Sequence, residues 1–236
     1  MLSVAIDKAL CWIISTVCTR KLVTLVQAAP PIAAGHINQT TSYAQHIQST
    51  MMDIPEIRTE RCVLTLLQPR DAPLLAAYHD ENRAHLAPWE PLREVRFFTP
   101  EACAERIRAA HQAFADGNGV SFAVLDPASG RMIASCNFNN IIRGAFHACH
   151  MGYSIAGAHE GRGLMFEAAQ AGIDYMFSAM QLHRIMANHL PSNQRSARLL
   201  RKLGFEREGY ARAYLKIAGK WQDHVLNALV NPAADV

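Results

Sequence analysis

Long apolar runs are missing from this chain of 236 residues. No stretch reaches the roughly 18 uninterrupted apolar residues of a membrane-spanning helix, which excludes an integral helical membrane protein. Paired cysteines are missing too. The six, at positions 11, 18, 62, 103, 136 and 149, form no Cys-x-x-Cys pair and no finger spacing. That excludes structural zinc, and at this length it argues against a disulfide scaffold. They read as reduced thiols of a cytoplasmic protein. Charge is sparse: 18% of residues are charged and the net is +3, too little to imply a nucleic-acid partner. With 13 Gly and 11 Pro, the chain is neither collagenous nor of low complexity.

What is present divides near residue 52. Residues 1–52 hold four charged residues, Asp7, Lys8, Arg20 and Lys21, which carry +2 of the chain's net charge. The apolar run Ala9–Thr19 is followed by Arg20-Lys21, by Pro30-Pro31 and then by a polar stretch. The run is like the apolar part of an export signal, but basic residues lie on both sides of it and no tidy small-x-small cleavage site follows. The expectation is a poorly ordered extension, or a start codon placed too early, since Met51-Met52 directly precedes the patterned region. Residues 53–236 form the folded domain.

That domain reads as strand Arg61–Leu67, a short helix Asp71–His79, and a helix from Pro100 to about Asp116. Thr99 is the candidate cap of the latter, and Glu101 faces the positive end of its dipole. Strands follow over Val120–Leu125 and Arg131–Ile142, joined by a turn at Asp126–Gly130, then His150–Ile155. A long helix spans Gly161–Met180, with Glu167, Gln170, Asp174 and Ser178 as its single solvent stripe. Strand Arg184–Leu190, helix Asn193–Leu203 and strands near Phe205–Tyr214 and Trp221–Val230 complete the α/β order. Strict alternation is absent. The fold expected is one mixed, mostly antiparallel sheet with helices on both faces.

Two segments carry chemistry. Met151-Gly152-Tyr153-Ser154-Ile155, then His159-Glu160-Gly161-Arg162-Gly163-Leu164-Met165, place a strand, a glycine loop and a helix start in succession. Backbone N–H groups and the dipole at such a start favour an anion, although a tight turn alone would look the same. No G-x-x-x-x-G-K-[ST] occurs, and G-x-G-x-x-G fails because Phe166 stands at the third glycine position. The second segment is Asn193-Gln194-Arg195-Ser196, with Leu203-Gly204-Phe205 closing its helix. Asn193 could be a helix cap and nothing more.

Together these segments resemble the Gcn5-related N-acetyltransferase (GNAT) superfamily. Further words over residues 57–231 resemble its branch that acetylates the N-terminal alanine of bacterial ribosomal proteins. They include Pro88-Trp89-Glu90-Pro91, Asn137-Phe138-Asn139-Asn140, Gly152-Tyr153-Ser154, His183–Asn188 and Trp221–Leu226. The resemblance implies acetyl-CoA as cosubstrate and no metal. It implies that Tyr153, Ser154, Ile155, Gly161, Arg162, Gly163, Leu164, Met165 and Asn193 bind the cofactor. It also implies a protein N-terminus as partner, that of a ribosomal protein or the small ribosomal subunit, with no membrane and no direct nucleic-acid motif.

The chain departs from the superfamily at telling places. A thiolate-protonating tyrosine often lies four residues before the Gly-Phe glycine; here that residue is Leu200. Ser196, one turn earlier, becomes the candidate general acid. Ala158 replaces a frequent Gln or Arg, and the Glu160 carboxylate is expected to point outward from an anion loop. Ala213 replaces a carboxylate that could act as base, so Glu90 becomes the candidate for holding or deprotonating the substrate ammonium. His147, Cys149 and His150 are close in sequence, but strand alternation sends the two histidines to opposite faces, which disfavours a metal site. Two other functions stay open: acetylation of a small amine, and a CoA-binding sensor or assembly protein without turnover.

Overall fold

The computed structural model describes residues 54–233; the N-terminal extension expected over 1–52, with Cys11 and Cys18, lies outside them. Strands β1 (Glu56–Arg58) and β2 (Val63–Thr65) form an edge hairpin. Helix α1 (Ala72–Glu81), the single turn α2 (Arg83–Leu86) and α3 (Pro100–Ala115) follow. Then come β3 (Val120–Leu125), β4 (Met132–Ile142) and β5 (Ala148–Ile155). The chain ends with α4 (Leu164–Ser178), β6 (Arg184–His189), α5 (Gln194–Lys202), β7 (Glu206–Ile217) and β8 (Lys220–Val230). The eight strands lie in the order β1-β2-β3-β4-β5-β6-β8-β7, antiparallel except β5 with β6.

Alternation along the strands sorts side chains onto two faces. Cys136, Phe138, Met151 and Ile185 face α4, whose Ala168, Ala169, Ile173 and Met176 complete the larger core. On the other face Leu67, Ala123 and Met132 pack with Ala76 and Tyr78 of α1 and with Cys103 and Ile107 of α3. The mixed, mostly antiparallel sheet flanked by helices on both faces is therefore the architecture expected. All four cysteines among the described residues, Cys62, Cys103, Cys136 and Cys149, are free and buried.

Local chemistry explains most boundaries. The Thr99 hydroxyl accepts from the Ala102 N–H at 3.3 Å, with Pro100 in the first helical position of α3. The long helix is shorter than expected because Gly161 and Gly163 adopt φ of 74° and 78°, which keeps the glycine loop outside it. Strand β7 runs three residues beyond its expected end because a bulge between Ala211 and Leu215 absorbs the irregularity, with Ala213 at φ 47°. The turn α2 and the 3₁₀ turn Val95–Phe98 lie where no element was expected, since four residues are too few to show a period. His147 precedes β5 at φ 44°, so the alternation argument that set it opposite His150 does not apply to it.

Helix α4 approaches the sheet through Gly172: a Cβ there would lie 2.9 Å from Phe138 Cε2 and 3.1 Å from Cζ, on a ring that is fully buried. Gly172→Val should destabilise the protein by about 1–3 kcal/mol through overpacking. Urea unfolding with an unchanged m-value is the measurement; wild-type stability would show that the helix can move away.

Candidate functional site

Strands β5 and β6 pair over three rungs only, Ala148–Arg184, Cys149–Ile185 and His150–Met186. Beyond them β5 stays with β4 as far as Ile155–Ala134, and β6 stays with β8 as far as His189–Val225. Each strand is held by its antiparallel partner, so the two part and the sheet opens between them. At the open end the chain leaves β5 for α4 and leaves β6 for α5. Two helix N-termini therefore lie beside the gap, that of α5 capped by Asn193 and that of α4 without a side-chain cap.

The glycine loop enters α4 through Gly163. The first helical bond runs from the Glu167 N–H to the Gly163 carbonyl at 3.1 Å, so Leu164, Met165 and Phe166 keep N–H groups without a helical acceptor. The side chains of Leu164 and Met165 are buried in the core, so these residues offer backbone only. Arg61, at the β1–β2 turn, holds this segment: its Nε donates to Glu167 Oε2 at 2.7 Å and its Nη1 to the Arg162 carbonyl at 2.9 Å. Asn82, buried on α1's C-terminal side, accepts from the Gly157 N–H at 3.0 Å. Glu160 does not point outward as expected. Its carboxylate pairs with Arg195 of α5 and lies 3.4 Å from His85 Nε2, with a quarter of its side chain exposed. The Arg195 guanidinium on α5 draws it back across the loop, with His85 of α2 beside it.

On the same face as α4 and α5, the Tyr153 hydroxyl meets Ser196 Oγ at 2.5 Å. Burial pushes the Tyr153 phenol up to about 12, so it stays protonated near neutrality. Leu200 sits 1% exposed in the core one turn after Ser196. Asn193 takes the cap reading: its Oδ1 accepts from the Ser196 N–H at 3.0 Å. Sequence places Tyr153 among the cofactor-binding residues but gives its phenol no partner. Its signal was there, since a tyrosine that shares strand parity with Cys149 and Met151 and stands opposite Cys136 faces an apolar layer and needs a partner for its hydroxyl.

The other face carries a cavity of about 300 Å³ between α1, α3 and the sheet. Glu90, Arg93, Arg106 and His79 line it on the helix side, and Ser135, Asn137 and Ser154 on the sheet side. Glu90 is therefore brought to this cavity, across the sheet from Ser196. Burial raises its carboxyl above the usual range despite Arg93, whose Nε lies 3.8 Å away. Ser154 Oγ bridges Tyr78 Oη and Ser135 Oγ, both at 2.8 Å. The β7–β8 turn rests on the same loop, with the Ala218 N–H donating to the Glu90 carbonyl at 2.9 Å. Ala213 gives its N–H to Asp223 Oδ1, and Tyr210 gives its hydroxyl to Oδ2. Among the described residues, no group of three or more His, Cys, Asp or Glu could hold a metal ion, and no helix is long and apolar enough to cross a membrane.

Residues 61–206 match the acetyltransferase (GNAT) domain family. The chain is 46% identical over 182 residues to the [ribosomal protein uS5]-alanine N-acetyltransferase of Escherichia coli, covering 76% of this chain and 94% of that protein. Among solved structures it is similar to the ribosomal-protein-S5-alanine acetyltransferase of Vibrio fischeri. There the TM-score is 0.73 and the identity 40%, over 76% of this chain and 98% of that one. It is also similar to Mycobacterium smegmatis RimJ, solved in complex with CoA-disulfide, at TM-score 0.70 and 26% identity over 78% and 88% of the two chains.

The cavity has a pH signature. Burial, with Arg106 and Arg93 nearby, lowers His79 from 6.5 to about 4. The unfolded chain therefore binds this proton first, and stability is lost as pH falls below 6.5 toward 4. His79→Gln should remove that loss, so wild type should lose roughly 2 kcal/mol more than the variant between pH 7 and pH 5. Urea titrations of both proteins at the two pH values measure it; equal losses would place the imidazole in water.

Proposed function

This chain belongs to the GNAT acetyltransferase family, and on that premise we propose that it transfers acetyl from acetyl-CoA to the α-amine of an N-terminal alanine. The acceptor is a ribosomal protein, free or within the small ribosomal subunit, in the cytoplasm. The observation that carries the reading is the parting of β5 from β6 beyond His150–Met186, beneath the N-termini of α4 and α5. An extended cosubstrate arm fits between separated strands, and the free N–H groups of Leu164, Met165 and Phe166 suit its pyrophosphate. The 46% identity to an enzyme named for the alanine of uS5 supports the choice of acceptor. The activity is assigned to residues 53–236, with 1–52 as an appendage.

The chemistry asks little of the protein. An α-amine has a reference pKa of about 7.7–8.0, so on the order of a tenth is already neutral at pH 7. N–H groups of Tyr153–Ile155 beyond the last shared rung are suited to the thioester oxygen. Ser196, backed by the protonated Tyr153 phenol at 2.5 Å, is suited to giving the departing thiolate a proton. Glu90, in the cavity on the opposite face, is suited to holding the incoming ammonium. Arg162 is exposed beside the loop and free to meet phosphate. Asn193 acts there through the helix start that it caps.

The test is acetyl transfer from acetyl-CoA to an alanine-initiated peptide, followed by thiol release and mass. Ser196→Ala should lower kcat by roughly 100-fold, and Glu90→Gln should raise KM or lower kcat for the peptide while acetyl-CoA affinity is kept. Gly163→Asp should weaken acetyl-CoA binding at least about tenfold, or 1.4 kcal/mol, in calorimetry. Wild-type kinetics in both side-chain variants would remove those roles, and a peptide left unmodified while a small amine is acetylated would remove the acceptor. A protein beginning at Met52 should keep wild-type kcat/KM; a large loss would assign the first 51 residues a part in the reaction.

A further inference from the structure

Among the described residues, one buried side-chain nitrogen or oxygen has no hydrogen-bond partner, Nδ1 of His150. Its place is specific. His150 is the last β5 residue paired with β6, opposite Met186, and it stands where the sheet begins to open. Its side chain lies on the cavity side, away from Tyr153 and Ser196, because strand parity puts it in line with Gly152 and Ser154. The cavity already reaches Ser154 and Asn137, and Asn137 pairs directly with Gly152.

Gly152 adds a second, independent observation. Its φ is not left-handed, and a Cβ built on it would meet no heavy atom within 4 Å. Neither backbone nor packing requires glycine here. What its missing side chain provides is an open floor between His150 and Ser154, at the root of the gap. The carboxylate alternatives have other places: position 213 is alanine, Asp223 is held by Tyr210 and Ala213, and Glu90 in the cavity is the residue suited to holding the ammonium.

Resting on the acetyl-transfer reading above, we propose that His150 takes the proton of the attacking amine, and that the floor at Gly152 receives the substrate's first α-carbon and methyl group. A neutral amine adds to the thioester carbon, forming the C–N bond. The adduct nitrogen, now cationic and acidic, gives a proton to His150 Nδ1. Collapse breaks the C–S bond, and the thiolate takes a proton from Ser196 on the opposite face. Water then restores Ser196 and deprotonates the imidazolium. Burial alone lowers His150, which keeps it neutral and able to accept at pH 7. The titratable groups around this row are Arg184 of β6, paired with Glu208, and His224 of β8. Across the cavity stand Glu90, Arg93, Arg106, His79 and His111.

The experiment follows kcat/KM against pH for an alanine-initiated peptide. In wild type two deprotonations, of the amine and of His150, should shape the acid limb, so its slope steepens from one toward two at a pH that burial has moved below the ordinary histidine value of about 6.5. His150→Gln should leave a slope of one and lower kcat by at least about 100-fold with acetyl-CoA affinity unchanged. Gly152→Val should raise KM for the peptide at least tenfold. A His150→Gln variant with wild-type kcat/KM, or with the wild-type slope, overturns the assignment; unchanged peptide KM in Gly152→Val overturns the floor. Should His150→Gln fail to bind acetyl-CoA, imidazole added to His150→Ala decides: restored turnover supports the role, and none overturns it. If wild type acetylates a small amine but no peptide, the acceptor reading falls, and the same slopes are then measured on that amine.

Discussion

Three rungs of parallel pairing govern the rest of this structure. A strand in a sheet gains most when both edges are paired, yet β5 and β6 give up their shared edge after His150 and Met186. They can do so because each keeps an antiparallel partner to its end, β4 for one and β8 for the other. Backbone donors and acceptors on the facing edges are thereby left without a strand partner across the gap. Such groups are costly when buried and useful when something polar and extended lies between them. Of the two helices that leave this end of the sheet, α4 adds the N–H groups of Leu164, Met165 and Phe166, which have no helical acceptor.

The sheet also divides the chemistry. On the α4–α5 face Tyr153 and Ser196 form a protonated hydroxyl pair; on the α1–α3 face Glu90 lines the cavity, and strand parity puts His150 on that same side of β5. One strand serves both, because successive residues of β5 point in opposite directions. Acid and base functions held apart by a pleated sheet cannot neutralise each other by direct contact. The gap beside β5 is the common ground.

Much of this was legible in sequence, and the reasons are local. Thr99-Pro100-Glu101 announces α3 because each residue meets a different need of a helix start. The Glu167, Gln170, Asp174 and Ser178 stripe gives α4 its orientation. The strand, glycine loop and helix start stood out as an anion cradle from the residues themselves, whereas the family resemblance singled out Ser196. What escaped depends on contacts distant in sequence. Glu160 was read from its neighbours, but its direction is decided by Arg195 and His85, which belong to other elements. The Asn193 cap could be read from spacing alone, whereas the Tyr153–Ser196 contact could not, since 43 residues separate the partners. His150 could be placed on a strand but not beside an opening, because where two strands part is a property of the whole sheet.

Arg61 closes a span of 101 residues when it reaches the Arg162 carbonyl. Contacts of such high order form late, since the entropy of joining distant segments must be met before they contribute. The glycine loop therefore takes its shape only after the edge hairpin has docked on the finished sheet. That hairpin is the short margin of the sheet, with three residues in each strand. Fraying there uncovers Leu64 but leaves Gly172 and Phe138 packed in the middle of the sheet, and it releases the loop. Local opening at the edge would thus reach the anion cradle long before global unfolding, and the two stabilities are separate quantities in the same domain.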